Sequence, residues 1–286
     1  MAAKIKVAIL GSTGMLGSMV LRVLTEQGGY DISVIDRAGM DAERADVRTL
    51  TDFLTGSTYA INCIGIIKPR IDEGNRESVE RAIRVNSLFP HVLAAAAERV
   101  GCRVLQIATD CVYSGRDGRY SEGAAHDATD VYGKTKSLGE IISSVVTHLR
   151  CSIIGPEQKG HLSLLDWFLN QPVGSMLKGF NNHLWNGITT LHFARICHAI
   201  MSQGIELPCH QHVVPRNAIT KRKLISHFAY FYKRDDVSVG GVDAPVAVNR
   251  TLVTSTPLVN STLWLAAGYS KPPYIQQMIE ELAAYQ

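Results

Sequence analysis

The sequence predicts an α/β protein built on a doubly wound parallel sheet. Apolar strand-like runs alternate with helical patterns over about the first 155 residues, which is typical of parallel βαβ units. The strand-like runs are almost continuously apolar, as expected for strands that are covered on both faces. A glycine-rich loop also joins the first strand to the first helix. The chain has 286 residues, of which 46% are hydrophobic and 19% charged, so its composition is that of an ordinary globular protein.

The first elements along the chain set this pattern. KVAIL (6–10) is a short aliphatic strand, and GSTGMLGS (11–18) is the loop that follows it. Residues 19–27 have apolar side chains at helical spacing, and Gly28-Gly29 ends that helix. DISVID (31–36) is the second strand.

The elements that follow continue the alternation up to Gly155. The patterns predict, in order, a helix at 49–55, a strand at 59–65, a helical stretch at 76–100 interrupted at Pro90, a strand at 102–109, a helix at 131–147 and a strand at 149–155. After Gly155 the periodicity weakens, and we predict a helix at 189–201, a strand at 212–215 and two or three short helices within 216–286.

This loss of regular strand and helix periodicity after Gly155 predicts two regions in the chain. Residues 1–157 form a dinucleotide-binding domain, and residues 187–215 return to it. Residues 158–186 and 216–286 form a smaller C-terminal region that binds the substrate.

Charge and hydropathy exclude some classes of partner. The net charge of +3 is too small to indicate nucleic-acid binding, and we interpret TKRK (220–223) as a solvated helix start. No apolar run reaches the roughly 18 residues of a membrane span. The N-terminus leads directly into a strand without a signal-peptide pattern, so we expect a cytoplasmic protein.

The cysteines are best interpreted as buried thiols in a reducing compartment. One cluster, Cys197-His198 with Cys209-His210-Gln211-His212, offers zinc-ligand residue types. It lacks the C-x-x-C and H-x₃-H spacings of common zinc sites, so the prediction includes no metal. The six cysteines are Cys63, Cys102, Cys111, Cys151, Cys197 and Cys209.

The glycine loop has the spacing of a dinucleotide site. Gly11 permits a tight turn, Gly14 lets the backbone approach a pyrophosphate, and Gly17 lets the helix pack close to the strand. Exposed N–H groups and the helix dipole at the start of the helix favour phosphate there. We therefore expect the loop, which includes Thr13, Met15 and Leu16, to bind the cofactor.

The choice between NADH and NADPH stays open. Asp36 ends the second strand, where a carboxylate can accept hydrogen bonds from ribose hydroxyls and would repel a 2′-phosphate. Arg37 follows it and favours the opposite choice, because a guanidinium can pair with that phosphate. Asp46 and Val47 are candidates for contact with the adenine, or else a solvated loop with one buried valine.

A tyrosine and a lysine stand one helical turn apart in HDATDVYGKTKSLGE (126–140). A free phenol has a pKa of about 10, and a nearby ammonium lowers it by stabilising the phenolate. Residues four apart share a helix face, so Lys136 can lie beside the Tyr132 hydroxyl and also reach a cofactor ribose. Thr109 ends the strand LQIAT at the carboxyl edge, where ligands of doubly wound sheets bind.

Together these motifs resemble the extended short-chain dehydrogenase/reductase superfamily. ATDCVYSG (108–115), VYGKTKSLGE (131–140) and LRCSIIG (149–155) are similar to motifs of its dTDP-4-dehydrorhamnose reductase family. The likeness covers residues 5–155 well and the rest loosely, through WNGITTLHFA (185–194).

The resemblance implies roles for particular residues. Tyr132 would donate a proton to a sugar ketone while NADH or NADPH delivers hydride, with Lys136 as its ribose-binding partner and Thr109 as the polarising hydroxyl. Asn86 matches the superfamily's active-site asparagine, which helps to hold the lysine. Cys63, Ile64 and Gly65 would lie along the cofactor, and the residues implied at the substrate are Asn86, Asp110, Cys111, Val112, Trp185 and Arg250.

Two departures from the family pattern concern the sugar. Cys111 stands where the family usually has tyrosine, and Ile153 where it usually has tryptophan. Both argue against 4-keto-rhamnose on dTDP, and a UDP-linked 2-acetamido sugar is the alternative substrate hypothesis. Trp185 either replaces the lost stacking surface or is a core indole, and Arg250 either meets the diphosphate or lies at the surface.

The predicted function is reduction of a nucleotide-activated 4-keto-6-deoxy sugar in glycan (polysaccharide) biosynthesis. An epimerase on the same scaffold is an alternative, whereas a dehydratase is disfavoured because Thr109-Asp110-Cys111 supplies only one carboxylate. A non-catalytic regulatory subunit is the other class, although such proteins tend to lose the tyrosine or the lysine. Some family members form dimers, which leaves a homodimer open.

Overall fold

A computed structural model of the chain describes residues 3–35, 37, 39–158 and 160–285. Its strands are β1 (Ile5–Leu10), β2 (Tyr30–Ile35), β3 (Tyr59–Asn62), β4 (Arg103–Ala108), β5 (Val146–Arg150), β6 (Ile153–Ile154), β7 (Met176–Phe180), β8 (His183–Trp185), β9 (Ile188–Thr189), β10 (His210–His212), β11 (Ile219–Thr220), β12 (Ser238–Val242) and β13 (Val248–Asn249). Its helices are α1 (Met15–Gln27), α2 (Val47–Leu54), α3 (Arg76–Ala82), α4 (Phe89–Val100), α5 (Val131–Leu138), α6 (Leu164–Leu169), α7 (Thr190–Gln203), α8 (Lys221–Phe231), α9 (Pro257–Ala266) and α10 (Ile275–Tyr285).

The predicted doubly wound parallel sheet is confirmed. Its strands lie in the order β2-β1-β3-β4-β5-β10, and every pair is parallel. The chain reverses its direction of travel across the sheet between β1 and β3, which is the switch point where such sheets bind ligands. Helices α1 and α7 pack together on one face, and α2 and α4 pack together on the other.

The apolar run of β1 shows why this strand needs cover on both faces. Val7 and Ile9 belong to the core under α1 and α7, whereas Ala8 and Leu10 belong to the core under α2 and α4. Because successive strand residues point to opposite faces, a strand buried on both sides carries no polar alternation.

The sequence predicts that the helical stretch at 76–100 is interrupted at Pro90, but the chain stays helical there. The irregularity lies earlier, in a π-helical turn at Ile83–Leu88 between α3 and α4. Pro90 lies in the first turn of α4, directly after this π-helical turn.

The helix predicted at 131–147 ends at Leu138, so this prediction is wrong over its second half. Gly139 passes so close to the π-helical turn that an added Cβ would lie 2.1 Å from the carbonyl oxygen of Asn86. The Glu140 side chain binds Arg150 on β5, and the backbone N–H of Ile141 donates to His148 Nε2 at 3.0 Å. These tertiary contacts outweigh the weak local helical preference.

Other strand boundaries also differ from the prediction. β3 ends at Asn62, whose side-chain oxygen accepts a hydrogen bond from the Ile64 N–H at 3.0 Å and turns the chain. The run at 149–155 divides between β5 and β6, and the strand predicted at 212–215 is β10.

The chain after Gly155 adds smaller sheets beside the main one. β6 pairs with β9, β7 with β12, and β8 with both β11 and β13. Helices α8 and α10 pack on each other, and Trp264 of α9 is fully buried. Among the described helices, none combines the length and the apolar character needed to cross a bilayer.

Candidate active site

The glycine loop has the geometry that a phosphate cradle requires. Gly11 has φ +82°, a conformation that favours glycine, and an added Cβ would lie 2.9 Å from Ile64 Cγ1. A Cβ on Gly17 would lie 2.1 Å from the Gly11 carbonyl oxygen, so only glycine lets α1 approach the loop this closely. Gly14 is the N-cap of α1 and supplies no side-chain cap, which leaves first-turn N–H groups available to an anion.

A cavity of about 510 Å³ opens at the carboxyl edge of the sheet beside this loop. It brings together residues that the sequence assigns to cofactor, catalysis and substrate, although they lie more than 100 positions apart. The predicted site residues that line it are Thr13, Gly14, Met15, Leu16, Cys63, Ile64, Gly65, Thr109, Asp110, Cys111, Tyr132 and Lys136.

Thr109, Tyr132 and Lys136 meet on one side of this cavity. Thr109 follows the last residue of β4, and its Oγ1 accepts from the Cys111 N–H at 3.1 Å. Tyr132 and Lys136 lie on α5, whose N-cap Asp130 accepts from the Gly133 N–H at 2.8 Å. The end of β4 therefore fixes Thr109, and the capped helix α5 fixes Tyr132 and Lys136.

Burial dominates the electrostatics of this trio. It raises the pKa of Tyr132 above the ordinary value, and a hydrogen bond with Thr109 acts in the opposite direction. This net direction is opposite to the predicted lowering by Lys136, whose Nζ donates instead to the Ile107 carbonyl at 3.3 Å. Burial also lowers the pKa of Lys136, against the attraction of Glu140.

Asp110 and Cys111 line the cavity next to Thr109. Burial raises the pKa of Asp110, while Arg250 and Lys221 oppose the shift. Burial raises the pKa of the Cys111 thiol to about 12, so this cysteine is protonated at neutral pH. This supports a pocket-lining role for Cys111 over a nucleophilic one.

Asn86 holds the loop after β3, and its contact with a substrate stays a prediction. It lies in the π-helical turn and is 1% exposed. Its Oδ1 accepts from the Ile66 N–H at 2.8 Å, and its Nδ2 donates to the Ile66 carbonyl at 3.0 Å. Asn86 thereby fixes the segment after β3, which follows the cavity-lining Gly65.

Val112 and Trp185 are core residues and are not among the described residues that line the cavity, so their contact with a sugar stays a prediction. Val112 is fully buried against Tyr113 and Leu252. Trp185 belongs to the main core, and its Nε1 donates to Ser152 Oγ at 2.8 Å. The interpretation of Trp185 as a core indole therefore describes the structure.

Arg250 is neither a surface arginine nor part of the cavity wall. Its Nε donates to the Tyr113 carbonyl at 2.8 Å, which keeps the side chain partly buried near Asp110. Its contact with a substrate diphosphate stays a prediction.

Three of the residues predicted around the adenosine, Arg37, Asp46 and Val47, lie away from the cavity wall. Asp36 lies outside the described residues. Arg37 forms ion pairs with Asp41 and, at 2.9 Å, with Glu43. Asp46 is the N-cap of α2, accepting from the Thr49 N–H at 2.9 Å, and Val47 begins that helix and packs against the core. Their contacts with a cofactor stay predictions.

The sequence also left out residues that line the cavity. Several lie in the loop after β3 or on either side of β6, namely Ile66, Ile67, Arg70, Ser152, Glu157 and Gln158. Lys221 was interpreted as part of a solvated helix start. It is only partly exposed, and its Nζ lies 5.6 Å from the Trp185 ring centroid and close enough to Asp110 to affect its pKa.

A second buried polar cluster lies next to the trio, and we name it the Arg150 cluster. Arg150 is 1% exposed and forms an ion pair with Glu140. It donates to Tyr113 Oη at 2.7 Å, and its nitrogens lie 2.7 Å from His212 Nε2 and 3.0 Å from His126 Nε2. The short motif Y-x-x-x-K-x-x-x-E thus joins the trio to the Arg150 cluster through α5.

The fold and this site define a class of protein. A doubly wound parallel sheet, a glycine loop at its switch point and a Tyr-x-x-x-Lys pair beside a strand-ending threonine are those of an extended short-chain dehydrogenase/reductase. The family model described as RmlD substrate binding domain matches residues 5–154, and the chain belongs to that family.

Individual proteins show the same likeness. The dTDP-4-dehydrorhamnose reductase of Aggregatibacter actinomycetemcomitans is 30% identical over 137 residues, which are 47% of this chain and 45% of that protein. The chain's match thus spans about half the length of that curated relative.

Solved structures match nearly the whole chain. The dTDP-4-dehydrorhamnose reductase of Bacillus anthracis in complex with NADP has a TM-score of 0.81 at 17% identity, covering 99% of this chain and 100% of that one. MoeE5 in complex with UDP-glucose and NAD has a TM-score of 0.71 at 18% identity, covering 98% of both chains. At these identities the likeness supports the fold alone.

Proposed function

We propose that this protein is an NADH- or NADPH-dependent reductase of a nucleotide-activated 4-keto-6-deoxy sugar in glycan biosynthesis. The observation that carries the proposal is that Thr109, Tyr132 and Lys136 share one cavity with the glycine loop. A reductase needs a proton donor beside a dinucleotide site, and this cavity places the trio beside the glycine loop. The dTDP-4-dehydrorhamnose reductase names of the matched relatives support the same reaction.

The chain's residues fit a dinucleotide along the loop and the end of β3. First-turn N–H groups of α1 would hold the pyrophosphate, and Gly65 would let the nicotinamide side approach closely. An added Cβ on Gly65 would lie 3.9 Å from Lys136 Nζ, so a ribose bound beside Gly65 would be close to the ammonium. When bound, the cofactor supplies the hydride.

The trio would supply the proton and hold the ketone. Tyr132 donates its phenolic proton to the carbonyl oxygen as negative charge develops there, and Thr109 donates a second hydrogen bond to the same oxygen. The raised pKa of Tyr132 keeps it protonated before reaction, as an acid must be. Lys136 moves from the Ile107 carbonyl towards the ribose and the phenolate that forms, lowering the cost of that charge.

The sugar would lie beside Asp110, Cys111 and Ile153, which line the cavity. Cys111 and Ile153 are smaller than the tyrosine and tryptophan typical of the family, so the pocket has room for a bulkier substituent. A UDP-linked 2-acetamido sugar is therefore our substrate proposal over 4-keto-rhamnose on dTDP.

Turnover by the purified protein tests the function. NADH or NADPH oxidation is followed with dTDP-, UDP- and GDP-linked 4-keto-6-deoxy sugars, with and without a 2-acetamido group. Oxidation with a UDP-linked 2-acetamido sugar supports the full proposal, and oxidation with another sugar supports the reaction but not the substrate. Cofactor binding with no oxidation of either cofactor by any sugar overturns the reductase proposal.

The cofactor choice is tested by two neighbouring substitutions. Asp36→Ala should shift the ratio of kcat/KM values towards NADPH, because it removes a carboxylate that repels the 2′-phosphate. Arg37→Ala should shift the ratio towards NADH, although its pairing with Glu43 weakens the expected effect. An unchanged ratio in both variants would assign the choice to other contacts.

A further inference from the structure

The edge of the sheet at β5 and β10 brings together three metal-ligand side chains far from each other in sequence. His148 of β5 is the register partner of His210 of β10, and Cys209 directly precedes β10. One ligand atom from each of these residues lies within 4.8 Å of the others. Tetrahedral zinc, with bonds of about 2.0–2.1 Å to nitrogen and 2.3 Å to sulfur, needs ligand atoms about 3.3–3.6 Å apart. The ligand atoms must therefore approach one another by up to about 1.5 Å, and the His148 and His210 rings, which are stacked at 17°, must rotate for both to face one ion.

Each histidine is already held at its Nε2 atom. His148 Nε2 lies 2.9 Å from the Ile141 carbonyl oxygen, and His210 Nε2 lies 3.4 Å from Glu140 Oε2. Histidines that bind metals through one nitrogen typically donate their other N–H to a carbonyl or a carboxylate, which fixes the ring and the tautomer. Consecutive residues of the segment after α5 supply both of these acceptors.

The second ring nitrogen of His148 lacks a partner in the structure. His148 is 0% exposed, and its Nδ1 is one of the few buried side-chain atoms without a hydrogen bond among the described residues. A buried polar atom without a partner costs about 1–3 kcal/mol, so its retention points to a ligand. His148 Nε2 lies within hydrogen-bond distance of both the N–H and the carbonyl of Ile141, at 3.0 and 2.9 Å. In the tautomer whose Nε2 donates to the carbonyl, the Nδ1 lone pair is free to bind a cation, and metal binding would select this tautomer.

A route to these side chains exists at the surface. Cys209 lines a groove of about 140 Å³ together with Ser143, Thr147 and Leu207. The Cys209 Sγ also lies 3.2 Å from the Ile141 carbonyl oxygen, beside the contact made by His148. The thiol therefore connects the buried imidazole to solvent, as an entry path for a metal requires.

We propose that His148, Cys209 and His210 form a zinc site. One thiolate and two imidazole nitrogens suit zinc, and the fourth position of the tetrahedron is left to water. Binding forms the Zn–S and two Zn–N bonds and releases the Cys209 thiol proton to solvent. The ion would tie the edge strand β10 to β5, where His210 shares the Glu140 carboxylate with the Arg150 cluster, and it is independent of the proposed reductase activity.

The test is a cobalt titration of the full-length protein after dialysis against a chelator. We expect about one equivalent of Co²⁺ to give a thiolate-to-metal charge-transfer band and the visible bands of a tetrahedral site, and Zn²⁺ to remove them. Cys209→Ser should abolish the charge-transfer band. His210→Gln should weaken binding by more than the roughly 10–100-fold that loss of an outer partner costs.

The matched controls are His227→Gln and Cys102→Ala, since neither residue belongs to the three-ligand set. Both controls should keep the wild-type spectrum, and Zn²⁺ should raise the thermal midpoint of wild type but not that of Cys209→Ser. A wild-type spectrum without the charge-transfer band overturns the proposal. So does a Cys209→Ser or His210→Gln variant that binds Co²⁺ as the wild type does.

Discussion

Two buried polar clusters lie side by side at the carboxyl half of this sheet. They differ in how fully their polar groups are hydrogen-bonded within the protein. In the Arg150 cluster, the guanidinium contacts a carboxylate, a phenol and two imidazoles. In the trio, the Lys136 ammonium has one carbonyl acceptor at 3.3 Å, and the Tyr132 phenol faces the cavity. Polar groups whose hydrogen bonds are all made within the protein stabilise the fold, whereas groups with unused donors or acceptors can bind a ligand. Substitutions in the Arg150 cluster should therefore lower stability, and substitutions in the trio should lower activity.

The largest expected effect on activity is at Tyr132. Tyr132→Phe should lower kcat by at least about 100-fold, because general acid catalysis typically contributes 10²–10⁴. Cofactor affinity and the thermal midpoint should change little, since the phenol oxygen acts mainly in the transition state. Tyr230→Phe, at an exposed position, is the control. Activity above about a tenth of wild type in Tyr132→Phe would remove Tyr132 as the main acid.

The largest expected effect on stability is at Arg150. Arg150→Met leaves the Glu140 carboxylate buried without its counter-charge, which should cost about 3–5 kcal/mol of unfolding free energy. Urea unfolding measures this cost, and the double variant with Glu140→Gln should recover much of it. Arg76→Met, in an exposed pair with Glu80, should cost less than about 1 kcal/mol. Equal costs for the two arginines would contradict the distinction between the clusters.

The sequence predicted the trio better than the Arg150 cluster for a physical reason. Gly11, Gly14 and Gly17 are required by backbone geometry, and Tyr132 and Lys136 are related by a helix turn, so local spacing encodes them. The Arg150 cluster depends on long-range pairing: Glu140 leaves the expected helix to reach β5, and His212 comes from β10. The burial of Trp185 and Val112 likewise depends on the region after Gly155, whose packing no local pattern records.

Acid should affect the Arg150 cluster in two steps. Burial lowers the pKa of His212 to about 4, with Arg150 adding to the shift and Glu122 and Glu140 opposing it. The unfolded chain binds this proton near pH 6.5, so stability is lost as the pH falls from about 6.5 to 4. Hydrogen bonds from His210 and Arg150, together with the Arg150 charge, hold the pKa of Glu140 at about 2 despite burial, so a further loss follows below about pH 4.5.

Thermal midpoints measured between pH 7 and pH 4 test the first step. His212→Gln should reduce the slope of the profile between pH 6.5 and 4, because the uncharged amide binds no proton in the unfolded chain. The buried His148, whose pKa is also lowered to about 4, should maintain part of the slope. The exposed His91→Gln should keep the wild-type profile. An unaltered slope in His212→Gln would assign the pH dependence to other groups.

The smallest expected effect is at Lys221, whose ammonium, like the polar groups of the trio, has donors available to a ligand. Its Nζ lies 5.6 Å from the centroid of the Trp185 ring, and among the described residues it makes no side-chain hydrogen bond. Burial lowers its pKa, with Asp110 opposing the shift.

A partly buried ammonium in this position would be stabilised by an anionic group of the nucleotide sugar. Lys221→Met should therefore raise KM for the sugar by about tenfold, or 1.4 kcal/mol, with an unchanged or higher thermal midpoint. Lys223→Met, on the exposed side of α8, should leave both values as in wild type. A lower midpoint with an unchanged KM would place Lys221 with the stabilising groups instead.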